Sequence, residues 1–370
     1  MKLSIAFLNN LTKACHIALF FIASCALSVS VEAKNTVKNK KPVKHMQAVL
    51  PGPSYAKRVD AMQAADEIAE LRQLDPAWVR HMLGQAHYIP AIAKAITPPP
   101  LGTPKNWQLY RSRFIEPMRI KAGLRFWQAQ QQTLERAEAE TGVPAEIIVG
   151  IIGVETIYGQ QMGTYRVLDA LATLAFDFPA VHPRASERSA YFKAELAQYL
   201  SLCQANTIDP LAQKGSYAGA MGMPQFMPSS WLKYAKDFDG DGKIDLFFNP
   251  ADVIGSVANY FKAFHWQPGL PTHYPVHFDP SKLDLDALML PDILPTFSVT
   301  TFQDKGAVLT DQALQHSGKL ALIELQNGAA APSYVAGTDN FYAITRYNWS
   351  SYYAMAVIEL GQAVKTAAGR

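Results

Sequence analysis

The stretch Ala145-Glu-Ile-Ile-Val-Gly-Ile-Ile-Gly-Val-Glu-Thr-Ile-Tyr158 is apolar around nearly its whole circumference, which predicts a helix buried on all sides. Thr141-Gly-Val-Pro144 breaks the chain just before it, and Pro144 opens the new helix. Gly150 and Gly153 lie inside it, where each glycine costs about 1 kcal/mol relative to alanine. Close backbone approach by a neighbouring element is the expected compensation. Near the helix end, on an otherwise apolar face, sits Glu155. A carboxylate there is expensive to ionise, so its pKa should rise, and a raised-pKa carboxylic acid is what protonating a glycosidic oxygen requires. The same glutamate also suits a side chain that reaches solvent at the helix end, or pairs with an arginine such as Arg166. The stretch by itself leaves these readings open.

Outward from this helix, the periodicity stays mostly helical. Upstream, Lys121 to Glu140 reads as one long helix with Leu124, Trp127 and Leu134 available for packing. Earlier still, Lys57 to Leu74 places Val59, Met62, Ala65, Ile68 and Leu71 on one face, and Asp75-Pro76 carries a cap and a first-turn proline for the next helix. Pro98-Pro-Pro100 ends that region. Downstream, residues 144–265 remain helix-like with glycine-rich breaks. Strand-like pieces follow: Thr272 to Phe278, Thr296 to Phe302 and Leu320 to Leu325. Helical spacing returns from Ser350 to Lys365.

The N-terminus reads as an address. Lys2 and Lys13 precede the apolar run Ile17-Ala-Leu-Phe-Phe-Ile-Ala-Ser-Cys-Ala-Leu27, and Val31-Glu-Ala33 suits cleavage by a signal peptidase. Ile22-Ala-Ser-Cys25 also resembles a bacterial lipoprotein box, which would leave Cys25 lipidated and the protein attached to the outer membrane. The apolar residues after Cys25 favour the soluble periplasmic form. Lys34 to Lys44 carries five lysines and no apolar periodicity, as a tether does. Besides Cys15 and Cys25 the only cysteine is Cys203, so an internal disulfide is not expected; Cys203 reads as a small buried hydrophobe. A formal net charge of +3 over 370 residues is too weak to indicate a nucleic-acid partner, and a monomer is expected.

Asp237-Phe-Asp-Gly-Asp-Gly-Lys-Ile-Asp245 matches the first nine positions of an EF-hand calcium loop. Asp237, Asp239 and Asp241 stand at positions one, three and five, Gly242 at the turn, and Lys243 would offer its carbonyl. Phe248 stands at position twelve, where a bidentate glutamate is usual, and Asp252 is the expected substitute. Calcium would be structural here, and no organic cofactor is expected. The alternative is a solvated acidic turn.

Several longer motifs resemble the membrane-bound lytic murein transglycosylase B family. They are Gly153-Val-Glu-Thr156 with Tyr158-Gly159, Arg166-Val-Leu-Asp-Ala-Leu-Ala-Thr-Leu174, and Gly215-Ser-Tyr-Ala-Gly-Ala-Met-Gly-Met-Pro-Gln-Phe-Met-Pro-Ser-Ser230. Ile254 to Lys262, Asn340 to Asn348, Tyr353 to Val357 and Leu360 to Val364 continue the likeness, which covers about residues 57 to 370. It implies a mainly α (α+β) protein with a lysozyme-like catalytic core, a flanking helical domain and a small C-terminal β-containing domain. The expected division is a signal peptide (1–33), a basic linker (34–56), a helical domain (57–140), the core with its calcium loop (141–266) and a mixed part completing the groove (267–370).

The resemblance also implies an activity: cleavage of the β-1,4 bond between N-acetylmuramic acid and N-acetylglucosamine in peptidoglycan, leaving 1,6-anhydromuramoyl ends. Glu155 would act as acid and then as base. Contacts to the sugar are implied for Tyr110, Arg188, Ser216, Gln225, Phe226, Tyr260, Tyr342, Tyr347 and Asn348. One departure stands beside the glutamate: Thr156-Ile-Tyr158 occupies a place where family members often have a basic residue followed by tryptophan. A glycosidase of the ordinary kind needs a second carboxylate, about 5 Å away for retention or roughly 6.5–9.5 Å for inversion. Asp169 and Asp177 are near in sequence, but neither sits in a partner motif. A muramidase that admits water, and a wall-binding protein without activity, are the alternatives. Product ends separate the first from a transglycosylase, and retention of Glu155 speaks against the second.

Overall fold

The computed structural model describes residues 52–98 and 103–370. The signal and lipid-box readings, the cut after Ala33 and most of the basic tether lie outside the described residues. Within them are fifteen α-helices and seven short strands. No helix among the described residues is long and apolar enough to cross a membrane.

The N-terminal helices are α1 (Val59–Arg72), α2 (Pro76–Gly84) and α3 (Pro90–Ile96). Helix α2 starts as expected, with the Asp75 carboxylate accepting from the Trp78 amide at 2.6 Å and Pro76 in the first turn. The expected face of α1 is corrected: Val59 and Leu71 are 82% and 71% exposed, and Ala61, Ala64, Ala65, Ile68 and Ala69 are buried. Alanines let α1 lie close against α2, and the larger residues at its ends overhang that contact.

Next come α4 (Trp107–Arg111), α5 (Pro117–Ala129) and α6 (Gln131–Thr141). The single long helix expected over 121–140 is broken at Gln130, which has φ −116° and ψ 19°. The two halves pack on different partners: α5 on the C-terminal helix, α6 on the helix Pro250–Ala263.

Helix α7 (Ala145–Thr156) runs through the main core, with Ile148, Val149, Ile151 and Ile152 fully buried. Its chief partner is the last helix of the chain, Ser351–Ala367. The two backbones meet at glycines. A Cβ on Gly150 would lie 2.3 Å from the Val357 carbonyl oxygen, and one on Gly361 would lie 2.0 Å from that of Glu146. The C-terminal helix is thus the neighbour that the α7 glycines anticipate.

Helices α8 (Val167–Phe176), α9 (Ala185–Ala205), α10 (Pro228–Tyr234) and α11 (Pro250–Ala263) complete the central part. A two-residue antiparallel pair, β1 (Tyr165–Arg166) with β2 (Lys214–Gly215), ties the start of α8 to the glycine-rich segment, in register Tyr165 to Gly215. Cys203 is 1% exposed, and burial pushes its thiol up to about 12, which suits a packing residue rather than a reactive one.

The mixed part holds β3 (His273–Pro275), β4 (His277–Phe278), α12 (Leu285–Met289), α13 (Val299–Asp304), β5 (Ala307–Val308), β6 (Ala321–Asn327) and β7 (Ala330–Gly337). An antiparallel sheet of order β3-β7-β6 covers a second, smaller core with Leu288, Phe302 and Leu322. The expected strand over 296–302 is corrected to helix α13, because the Ser298 hydroxyl accepts from the Thr301 amide and caps it. The chain ends in α14 (Asp339–Tyr347) and α15 (Ser351–Ala367). Since α15 joins the main core through Tyr353, Val357 and Leu360, residues 267–370 contribute to both cores.

Candidate active site

Glu155 is the penultimate residue of α7, partly exposed but surrounded by apolar protein. Burial pushes its carboxyl up to about 7; a hydrogen bond from Tyr353 and the charge of Arg119 work in the opposite sense. The Tyr353 hydroxyl donates to Oε1 at 2.5 Å. Arg119, on α5, donates from Nη1 to the carbonyls of Gly153 at 2.6 Å and Val154 at 3.2 Å. Arg166, an expected alternative partner of Glu155, is bound to Asp169 instead, at 2.5 Å.

The helix ends abruptly just past the glutamate. Ile157 and Tyr158 both have positive φ, 51° and 56°, an uncommon conformation for a β-branched or bulky residue. The Ile157 amide donates to the Gly153 carbonyl and the Tyr158 amide to that of Ile152. Tyr158 then folds its ring back under the helix. Its hydroxyl would lie 2.4 Å from a Cβ on either Gly123 or Gly153, so both glycines make room for it.

The glycine-rich segment is tied to this helix end. Thr156, fully buried, donates from Oγ1 to the Met223 carbonyl at 2.8 Å. Gln225 has φ 52° and donates from Nε2 to the carbonyls of Met162 and Gly222. Ser216 Oγ accepts from the amides of Ala218 and Ala220, which shapes the turn between them.

The other residues singled out from the sequence fall into distinct groups. Phe226, Tyr260 and Tyr347 pack together, with ring centroids 4.8 to 5.9 Å apart. Tyr347 stacks on Tyr353 at 6.4 Å and 13°, which brings this cluster to Glu155. The Tyr347 hydroxyl donates to the Pro224 carbonyl at 2.5 Å. Tyr110 lies on the other side with Trp107, Phe114 and Tyr352; burial, then the Glu155 charge, raises its pKa. Arg188 is buried against Tyr191 and Phe192, and burial lowers its pKa. Tyr342 packs edge-on against Trp349, with the Arg346 guanidinium over both rings, and Asn348 is buried just past α14.

Neither nearby aspartate is left to serve as a second catalytic carboxylate. Asp169 is held by Arg166 and accepts from the His87 amide, and Asp177 is held by Arg58 and the Tyr55 hydroxyl. Tyr353 and Arg119, the two groups that act on Glu155 directly, were not singled out from the sequence. Tyr353 lies 198 positions away and Arg119 contacts residues 34 and 35 positions away, so no local spacing signals them.

In the acidic loop, carboxylate oxygens of Asp237, Asp239 and Asp252 lie within 4.8 Å of one another. Asp252 is fully buried and accepts from the amides of Phe238 and Asp245. Asp237 accepts from those of Gly240 and Gly242. Asp241 turns its Oδ1 to the Lys243 amide and is outside the group of three. Phe248, in the place of the usual glutamate, is 79% exposed.

Residues 57–362 match the transglycosylase SLT domain family, and the chain belongs to that family. It is 39% identical over 337 residues to the membrane-bound lytic murein transglycosylase B of Escherichia coli (strain K12), covering 85% of each chain. Among solved structures it is similar to the E. coli lytic transglycosylase Slt35 in complex with bulgecin A. There the TM-score is 0.76 at 39% identity, over 87% of this chain and 98% of that one. Slt35 has also been solved in complex with calcium, with TM-score 0.75, 39% identity, and 87% and 97% covered. SltB3 from Pseudomonas aeruginosa, in complex with NAG-anhNAM-pentapeptide, gives 0.66 at 30% identity over 82% of this chain and 79% of that one. The fold is accordingly that of the lytic transglycosylases, lysozyme-like and mostly helical.

Proposed function

We propose that Glu155 is the acid and then the base with which this chain cleaves glycan strands. The chain is a lytic transglycosylase of peptidoglycan. Its carboxyl gives a proton to the leaving oxygen of N-acetylglucosamine as the bond from muramoyl C1 breaks. The carboxylate then takes the proton of the C6 hydroxyl, whose oxygen closes on C1 as a 1,6-anhydro ring. No water is consumed, and the proton returns to Glu155. Holding the C6 hydroxyl against C1 replaces an attacking molecule by proximity.

The observation that carries this reading is one carboxyl held near neutrality, with Asp169 and Asp177 bound elsewhere. The complex of SltB3 with NAG-anhNAM-pentapeptide supports the ring closure. A hydrolase on the same scaffold would turn the same carboxylate on water, so the product ends tell the two apart. Tyr110, Tyr342 and Tyr347 keep partly exposed rings for the C–H faces of sugars, while Ser216 and Gln225 line the loop beside them. Phe226, Tyr260, Arg188 and Asn348 are buried, so any part they take in holding the strand is chiefly to shape the site.

Asp237, Asp239 and Asp252 offer the hard oxygen donors that calcium takes, and their mutual repulsion is relieved by a cation. Calcium there would fix the loop that leads into α11. The N-terminal export pattern supports a periplasmic location, either free or anchored through Cys25. Glu155→Gln keeps the shape but can neither give nor take the proton. It should lower turnover of purified peptidoglycan by about a thousandfold or more while circular dichroism stays unchanged. A folded variant with near-normal turnover would sink the assignment.

A further inference from the structure

We infer that Arg119 is a positioning residue for Glu155: it clamps the last turn of α7 and places a fixed positive charge beside the carboxyl. This rests on the reading of Glu155 as acid and base.

The clamp is specific. Both accepting carbonyls, Gly153 and Val154, belong to the residues immediately before Glu155. The bonds therefore act on the backbone that aims the carboxyl. The Gly153 carbonyl also accepts from the Ile157 amide, and these last-turn carbonyls carry the negative end of the helix, which disfavours an anion nearby. A guanidinium on those oxygens offsets that field where Glu155 must ionise.

Arg119 is otherwise poorly provided for. Its side chain is 11% exposed, and Nε is buried with no hydrogen-bond partner among the described residues. The Glu116 carboxylate is 3.9 Å away and is occupied in capping α5, accepting from the amides of Met118 and Arg119. The Phe114 ring lies 5.1 Å from the guanidinium. Burial lowers the pKa of Arg119, with the charges of Glu116 and Glu155 acting against that shift. A desolvated cation with an incomplete set of partners is costly to a fold. Its two bonds to the α7 carbonyls are the contacts that offset part of this cost.

The charges around Glu155 leave Arg119 a distinct part. Tyr353 approaches from α15, Tyr347 from α14 and Tyr110 from α4, and burial keeps each phenol protonated. Arg119, from α5, supplies the positive charge felt by the carboxyl. Gln225 and Thr156, on the glycine-rich side, are neutral. Removing Arg119 disfavours the carboxylate, so the pKa of Glu155 rises. The loss of activity at high pH, where the acid is ionised, then moves to higher pH.

The test compares wild type, Arg119→Met and Arg119→Lys on soluble peptidoglycan strands across pH. In Arg119→Met, kcat should fall about tenfold, KM should stay within about twofold, and the alkaline limb should move up by about one pH unit. Arg119→Lys should bring the limb back towards the wild-type position with kcat still reduced, because an ammonium keeps the charge but not the fork. A folded Arg119→Met with an unmoved limb overturns the inference, even if its melting temperature drops. If Arg119→Met does not fold, Arg119→Lys decides: reduced kcat at unchanged KM supports the inference, and wild-type kcat overturns it. Active Glu155→Gln would instead refute the underlying reading, whereas inactive Glu155→Gln beside an unmoved limb in Arg119→Met refutes only the role of Arg119.

Discussion

The end of α7 and the loop from Asp237 to Asp252 treat carboxylates in opposite ways. At the helix end, one carboxyl stands among apolar walls and receives its hydrogen bond from a phenol, Tyr353. In the loop, three are gathered, and backbone amides fix them: Gly240 and Gly242 on Asp237, Asp241 on Asp239, Phe238 and Asp245 on Asp252. Hydrogen bonds hold the Asp239 carboxyl below its ordinary range, the Asn249 amide foremost, while burial and the neighbouring carboxylates raise that of Asp252 against its amide donors; at Glu155 burial raises it against one phenol and one guanidinium. The two regions differ in what each carboxyl meets: a phenol and one nearby cation at the helix end, backbone amides and other carboxylates in the loop.

That contrast can be broken first at the loop, where the expected effect is largest. Chelating divalent cations should lower the melting temperature, and calcium should restore it. At free calcium about a hundred times Kd the gain is ~2.7 kcal/mol. Asp237→Asn combined with Asp239→Asn should abolish the response. Unchanged melting with and without calcium would reduce the loop to an acidic turn.

The helix end should respond to pH rather than to metal. The carboxyl of Glu155 is raised from its ordinary 4.5 to about 7 in the folded protein. Ionisation therefore opposes folding: the penalty is absent below about pH 4.5, grows between there and about 7, and is complete above. Glu155→Gln removes it. Its urea-unfolding free energy should match wild type near pH 4 and exceed it at pH 8 by about 1–2 kcal/mol, the full shift being discounted for partial exposure. An equal gain at both pH values would show that the proton is not the cause.

A smaller effect concerns the tyrosine beside it. The Tyr158 hydroxyl is buried without a hydrogen-bond partner among the described residues. Tyr158→Phe should stabilise the protein by about 1 kcal/mol, because it removes a desolvated hydroxyl and keeps the ring. Destabilisation would reveal a bond that the hydroxyl makes in solution.

Local chemistry made much of this legible in the sequence. The apolar run and its glycines announced α7 and its close neighbour, and Asp75-Pro76 announced the start of α2. Where tertiary packing decides, sequence patterns misled. Nothing at Gln130 signals a break, because the break arises from α5 and α6 choosing different partners. The β-branched run after Thr296 looked like a strand until the Ser298 cap prevailed. At the candidate site, the glutamate was visible through its apolar setting. Arg119 and Tyr353 were not, because they reach it from other helices. In the acidic loop, the carboxylates brought together are Asp237, Asp239 and the expected Asp252, while the position-five Asp241 stays outside them.

The most direct test of ring closure at Glu155 is the mass of the muropeptides released by the purified wild-type protein. Ring closure by the C6 hydroxyl predicts anhydromuramoyl ends, each lighter by one water than a hydrolysis product. Reducing muramoyl ends as the main product would contradict it, since water would then be the attacking group.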